Sequence, residues 1–270
     1  MSQAKAKNTV HRPLAYKNEK FLDSDDARVL RILAEYLEPL YRFEEQKVPG
    51  TVVFFGSARL LPDGPLGRYY AEARELARLF TTWAQGLPPA APRYLICSGG
   101  GHGIMEAANR GAAEAGGRTI GLNISLPEEQ NPNAYITPDL SLEFHYFFMR
   151  KLWFAHLARA VVIFPGGFGT LDEMSEILTL SQTRKLEGKM TVILYGADYW
   201  NEIINFGALV KHGMIHESDL ELFSFANTPE AALALLKQGL LPWLEAAAPA
   251  YTKTRPASQA SSYLYQRSGD

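Results

Sequence analysis

Unbroken apolar runs of strand length alternate with amphipathic stretches through the central part of the chain, and the alternation predicts a repeated βα pattern. The predicted strands are TVVFFGS (51–57), YLICS (94–98), residues 118–124, a short run at 140–144, AVVIF (160–164), TVILY (191–195) and ELFSF (221–225). Helical spacing is read over about 66–84, 103–115, 147–158, 170–186, 198–211 and 229–238. Upstream, Ser24 is placed to cap a helix over 25–47 that carries Val29, Leu30, Leu33, Tyr36, Leu37 and Leu40 on one face. Pro39 is expected to kink or divide it. The prolines of QGLPPAAP (85–92) and the Pro/Asn-rich stretch 126–138 mark loops.

Strands apolar at every position are buried on both faces, and their alternation with helices requires a parallel sheet covered on both sides. The expected fold is therefore α/β: a doubly wound, Rossmann-like parallel sheet in a single domain, with an N-terminal helical extension. The boundaries read as a mobile tail at 1–22, the helical extension at 23–48, the Rossmann-like domain at 49–246 and a flexible C-terminal tail at 247–270. Both tails lack sustained hydrophobic periodicity.

In such sheets ligands bind beyond the carboxyl ends of the strands, where strand order reverses. Three strand-to-helix turns there contain glycine. They are Gly56-Ser57-Ala58-Arg59, Ser98-Gly99-Gly100-Gly101-His102-Gly103 and Pro165-Gly166-Gly167-Phe168-Gly169-Thr170. Glycines let an anion approach the backbone, and the following helix N-terminus offers unpaired N–H groups and partial positive charge. Two common nucleotide fingerprints fail here. A dinucleotide motif starting at Gly99 or Gly167 needs a small residue where Ile104 or Asp172 stands, and neither cluster leads into Gly-Lys-Ser/Thr.

Charge narrows the partners. The chain has 270 residues with 27 Lys plus Arg against 29 Asp plus Glu, a formal charge of −2. Residues 1–20 carry +4 and residues 249–270 carry +2, leaving −8 on the 228 residues between them. That body lacks the basic field of a non-specific nucleic-acid binder. The lone Cys97 excludes an intrachain disulfide framework and suits a reducing compartment. No apolar run has the length of a membrane span, and the N-terminus lacks the apolar core of a secretory signal. Cytoplasmic localisation and no membrane partner are expected.

SGGGHGIMEAANRGA (98–112), FFMRK (147–151) and PGGFGTLDE (165–173) together resemble the signatures of the LOG family. These are cytokinin riboside 5′-monophosphate phosphoribohydrolases, formerly labelled lysine decarboxylase-like. The resemblance covers about residues 50–240, and FFGSAR (54–59) with the N-terminal helix is similar to the longer bacterial branch. His102 stands where many relatives have proline. The resemblance implies cleavage of the N-glycosidic bond of a nucleoside 5′-monophosphate, with AMP or N6-modified AMP as substrate, and at least a homodimer. By motif it implies catalytic roles for Arg150 and Glu173. The expected substrate-binding set is Gly56, Ser57, Gly99, Gly100, Gly101, Gly103, Met105, Lys151, Gly166, Gly167, Gly169 and Thr170.

These residue types suit the chemistry. Cleaving a ribosyl C–N bond develops positive charge on the sugar, which a carboxylate can stabilise, and negative charge on the leaving base, which a guanidinium can bind. Plainer roles compete. Thr170-Leu171-Asp172-Glu173 matches a helix capping box, Arg150 and Lys151 match solvated helix charges, and Glu106 with Arg110 matches an intrahelical ion pair. His102, His145 and His156 show no metal-ligand spacing, and no metal or cofactor is expected. Three other functions remain open: a broad nucleotide nucleosidase, a non-catalytic nucleotide or molybdenum-cofactor binder, and a decarboxylase. The last would need a Schiff-base lysine for pyridoxal phosphate, which no local feature marks.

Overall fold

The computed structural model describes residues 12–125, 131–186, 188 and 190–247. Residues 1–11 and 248–270 of the two expected tails, and residues 126–130 of the expected loop, lie outside the described residues; Ala15–Lys17 and Glu19–Leu22 form short helical turns. In chain order the elements are α1 (Glu19–Leu22), α2 (Arg28–Glu45), β1 (Thr51–Phe55), α3 (Gly67–Gln85), β2 (Leu95–Ser98), α4 (Ile104–Glu114), β3 (Thr119–Ile124) and β4 (Ser141–Phe144). They continue as α5 (Phe147–Leu157), β5 (Ala158–Ile163), α6 (Phe168–Gln182), β6 (Thr191–Tyr195), α7 (Ala197–Ile203), α8 (Phe206–Lys211), β7 (Ser224–Ala226) and α9 (Pro229–Ala247).

The seven strands pair in parallel in the order β4-β3-β2-β1-β5-β6-β7. The predicted doubly wound sheet is thus observed, and the order reverses between β1 and β5. Side chains alternate across it with period two. Val52, Phe54, Ile96, Val162 and Ile193 face the layer containing α3, α4 and α9. Val53, Phe55, Cys97, Ile163 and Leu194 face the layer containing α2, α5, α6 and α7. The sheet side chains in both layers are buried, with each buried Val, Ile or Phe contributing about 1.5–3 kcal/mol. Among the described residues no helix is long and apolar enough to cross a membrane.

Several boundaries differ from the periodicity. Helix α2 runs through Pro39 without division, and of its two aromatics near the C-terminal end Phe43 is buried at 4% while Tyr41 is 63% exposed. The single helix expected at 198–211 is two, broken at Ile204-Asn205, where Asn205 caps α8 by accepting from the Ala208 amide. ELFSF yields strand only from Ser224, because residues 217–222 form a 3₁₀ turn. The last helix continues past 238, through Pro242, to Ala247.

Helix α2 braces the helix that carries Arg150. The Glu35 carboxylate accepts the amides of His145 (2.7 Å) and Tyr146 (3.2 Å) at the start of α5. The Glu35 carbonyl accepts the Trp153 indole N–H at 2.9 Å. Tyr36 and Phe43 of α2 pack on the same indole, at ring separations of 5.5 and 5.4 Å. A carboxylate at a helix N-terminus is favourable to the exposed amides and to the dipole.

Candidate active site

Matching registers bring the carboxyl ends of β1, β2 and β5 to one level, with Phe54 opposite Ser98 and Phe55 opposite Ile163. The turns that follow are stitched together by backbone bonds. The Ser57 amide donates to the Pro165 carbonyl (3.1 Å), and the Ile104 amide donates to the Ser57 carbonyl (3.2 Å). A cleft of about 900 Å³ opens above this seam, at the strand-order reversal.

Eleven of the residues expected in the site line the cleft: Gly56, Ser57, Gly99, Gly101, Met105, Arg150, Gly166, Gly167, Gly169, Thr170 and Glu173. Gly167 and Gly169 have open space where a side chain would project, so at these two positions nothing screens the start of α6 from the cleft. A Cβ at Gly99 would meet the Met105 sulfur at 2.6 Å and lie 3.8 Å from Arg150 Nη1, which sets the second turn directly beside the guanidinium.

Three expected residues lie outside the lining. Gly100 and Gly103 have φ of +74° and +64° and serve close packing, the first against the Asn123 side chain and the second against the Ser57-Ala58 backbone. Lys151 turns away and binds Asp172 (2.9 Å) and Glu176 (3.0 Å) on α6. Burial works against the Lys151 charge, but these two carboxylates hold its pKa above the usual lysine value.

Arg150 and Glu173 meet across the cleft floor, with Nη2 to Oε1 at 3.5 Å and side-chain exposures of 12% and 15%. The guanidinium lies 5.3 Å from the Phe147 ring centre and 5.6 Å from that of Phe154, and its Nε is buried without a partner. Burial lowers the Arg150 pKa, opposed by the charges of Glu173 and Asp172. Burial pushes the Glu173 carboxyl up to about 7, Arg150 opposes the rise and Asp172 adds to it. A carboxyl of that kind is poised to change charge near neutral pH.

The capping-box role for Glu173 does not fit the observed helix. Helix α6 starts at Phe168 with Gly167 as its N-cap, so Thr170 is already inside the helix and no side chain caps it. Glu106 and Arg110 are not paired either. Arg110 binds Glu114 at 2.9 Å, while Glu106 accepts from Tyr70 (2.9 Å) and lies 3.4 Å from His102.

Two supports of the site carried no sequence signal. Tyr199 of α7 donates its hydroxyl to the Gly166 carbonyl at 2.7 Å and lines the cleft. Asn133 is buried beneath the second turn, and its amide nitrogen donates to the carbonyls of Gly100 (3.0 Å) and Gly101 (3.1 Å) and to Asn109 Oδ1 (2.9 Å). Asn109, exposed in no way to the cleft, completes this network with Ser98 and Thr119. Among the described residues no group of His, Cys, Asp and Glu is arranged to hold a metal ion.

Known proteins are similar to this chain. Residues 105–236 match the family described as "Possible lysine decarboxylase". A rice protein named probable cytokinin riboside 5′-monophosphate phosphoribohydrolase LOGL3 (Oryza sativa subsp. japonica) is 25% identical over 203 residues, spanning 72% of this chain and 86% of that one. The chain is thus similar to LOG-family proteins over this region. A second similar protein, cytokinin riboside 5′-monophosphate phosphoribohydrolase LOG3 of Arabidopsis thaliana, is 25% identical over 147 residues, covering 53% of this chain and 66% of its own length. Among solved structures, the structural-genomics target TM1055 superposes with a TM-score of 0.50 at 23% identity, covering 70% of this chain and 99% of that one, which is a likeness of fold.

Proposed function

We propose that this chain is a LOG-type nucleoside 5′-monophosphate phosphoribohydrolase that converts AMP or N6-modified AMP, the latter a cytokinin riboside monophosphate, into free base and ribose 5-phosphate. The observation that carries the reading is the buried Arg150–Glu173 pair on the floor of a cleft bounded by three glycine-containing turns. The names of the relatives support the same chemistry.

In this reading the phosphate lies against the turn of Gly167 and Gly169, and the ribose sits over Glu173. As the C1′–N bond lengthens, positive charge grows on the ribose and is stabilised by the Glu173 carboxylate, while the bonding pair leaves with the base. A water oxygen bonds to C1′, and its proton balances the charge of the departing base. The Arg150 guanidinium, set in a low-dielectric niche by two phenyl rings, stabilises negative charge and keeps part of the Glu173 population ionised. A decarboxylase role is less well supported, because no lysine among the described residues lines the cleft to hold pyridoxal phosphate as a Schiff base.

The test is incubation with AMP followed by chromatography for adenine, alongside Glu173→Ala and Arg150→Ala. The proposal expects base release by the wild-type chain and at least about a hundredfold loss in each variant. Undiminished release by Glu173→Ala would remove the carboxylate from the mechanism, and tight AMP binding with no turnover would make the protein a carrier.

A further inference from the structure

We infer that Arg59 is the phosphate-reading residue of the cleft, the side chain that separates nucleoside monophosphates from unphosphorylated nucleosides. The inference rests on the nucleotide reading above and names a residue outside both the catalytic pair and the residues expected to bind substrate.

Among the described residues lining the cleft, the ionisable acids and bases of charged type are Arg59, Arg150 and Glu173. Arg150 is committed: it is buried, sandwiched near two phenyl rings and 3.5 Å from Glu173. A phosphate dianion brought into this cleft meets the negative charge of Glu173 and needs a second cation. Arg59 is exposed and has no ion pair and no side-chain hydrogen bond among the described residues. Its guanidinium offers the planar fork that matches phosphate oxygens.

Its backbone is held where such a contact requires. The Arg59 amide donates to Ser57 Oγ at 3.0 Å, and Ser57 is the residue that stitches the other two turns together through Pro165 and Ile104. The cation therefore projects from the rigid seam between the turns, while its side chain stays free to close on a ligand. The first turn of α6, on the same cleft, supplies amides to the same anion. An exposed side chain of this kind carries no folding task, so its removal separates binding from stability.

The probes are ribose 5-phosphate for binding, by calorimetry, and AMP for turnover, with Arg59→Met and Arg59→Lys. Both variants should melt at the wild-type temperature. Arg59→Met should weaken ribose 5-phosphate binding and raise the AMP KM by about 10- to 100-fold, with a much smaller effect on kcat. Arg59→Lys, which keeps the charge and loses the fork, should fall between them. The wild-type advantage should shrink as salt is raised. Weaker ribose 5-phosphate binding by Arg59→Met, without base release by any form, would sustain this inference and defeat the hydrolase proposal. Wild-type ribose 5-phosphate affinity and AMP KM in Arg59→Met would overturn the inference while leaving the hydrolase intact. Absence of ribose 5-phosphate binding by the wild-type chain would overturn it as well.

Discussion

Replacing Glu173 by glutamine should stabilise the protein in alkaline solution and do little in acid. The carboxyl goes from an ordinary value of 4.5 to about 7 in the folded chain because burial penalises its charge. Well below 4.5 the group is protonated in both the folded and the unfolded chain and contributes nothing. Between 4.5 and about 7 the folded state holds more protons than the unfolded one, so stability falls as pH rises. Above about 7 the full cost is present, and the shift converts to about 3 kcal/mol. A glutamine cannot ionise, so it mimics the protonated carboxyl and leaves Arg150 facing the same neutral neighbour as in acid. Urea unfolding of both proteins near pH 4.5 and near pH 8.5 reads the effect directly, provided the slope with denaturant is common to both. The advantage of Glu173→Gln over the wild-type chain should grow by about 3 kcal/mol between the two conditions, a gain of roughly 5–10 °C in Tm. A constant difference, or one that shrinks at high pH, would show that Glu173 is not a desolvated acid and would remove its poise near neutrality.

The other expectations concern the parts that hold this pair. Lys151→Met removes the cation that neutralises Asp172 and Glu176 beside Glu173, so the ionisation governing AMP turnover should move to higher pH, read from the profile of kcat/KM. Gly166→Ala places a methyl group against the Thr170 side chain and should cost about 1–3 kcal/mol in urea unfolding, whereas Gly167→Ala meets nothing within 4 Å and should spare stability while raising the AMP KM. Glu35→Ala removes the two amide contacts at the start of α5 and should cost about 1–2 kcal/mol, with a loss of turnover despite its distance in sequence from Arg150.

The sheet was legible because parallel strands buried on both faces are written as unbroken apolar runs, such as TVVFF and AVVI, and glycine turns follow three of them. Boundaries were less so. Gly167 supplies the N-cap of α6 with no side-chain signal, so the helix begins two residues before the threonine that resembles a cap. Asn205 splits an otherwise continuous helical pattern by competing for a backbone amide. Within the site, motif position brought Arg150 and Glu173 into the candidate set, but their separation depends on how α5 and α6 pack, which no local spacing encodes. Lys151 is the converse case. It adjoins Arg150 in sequence, yet successive helical residues point about 100° apart, and its side chain reaches the acids of α6 on the flank rather than the cleft. Asn133 and Glu35 act across 33 and 110 residues of chain, beyond the reach of any periodicity.

The central claim is that this cleft breaks the bond between base and ribose. The most direct measurement is the product balance from AMP under single-turnover conditions, with enzyme in excess and both halves of the substrate quantified. Adenine and ribose 5-phosphate appearing together in a 1:1 ratio is the result expected. Adenosine with inorganic phosphate, or AMP recovered intact after binding, would contradict it.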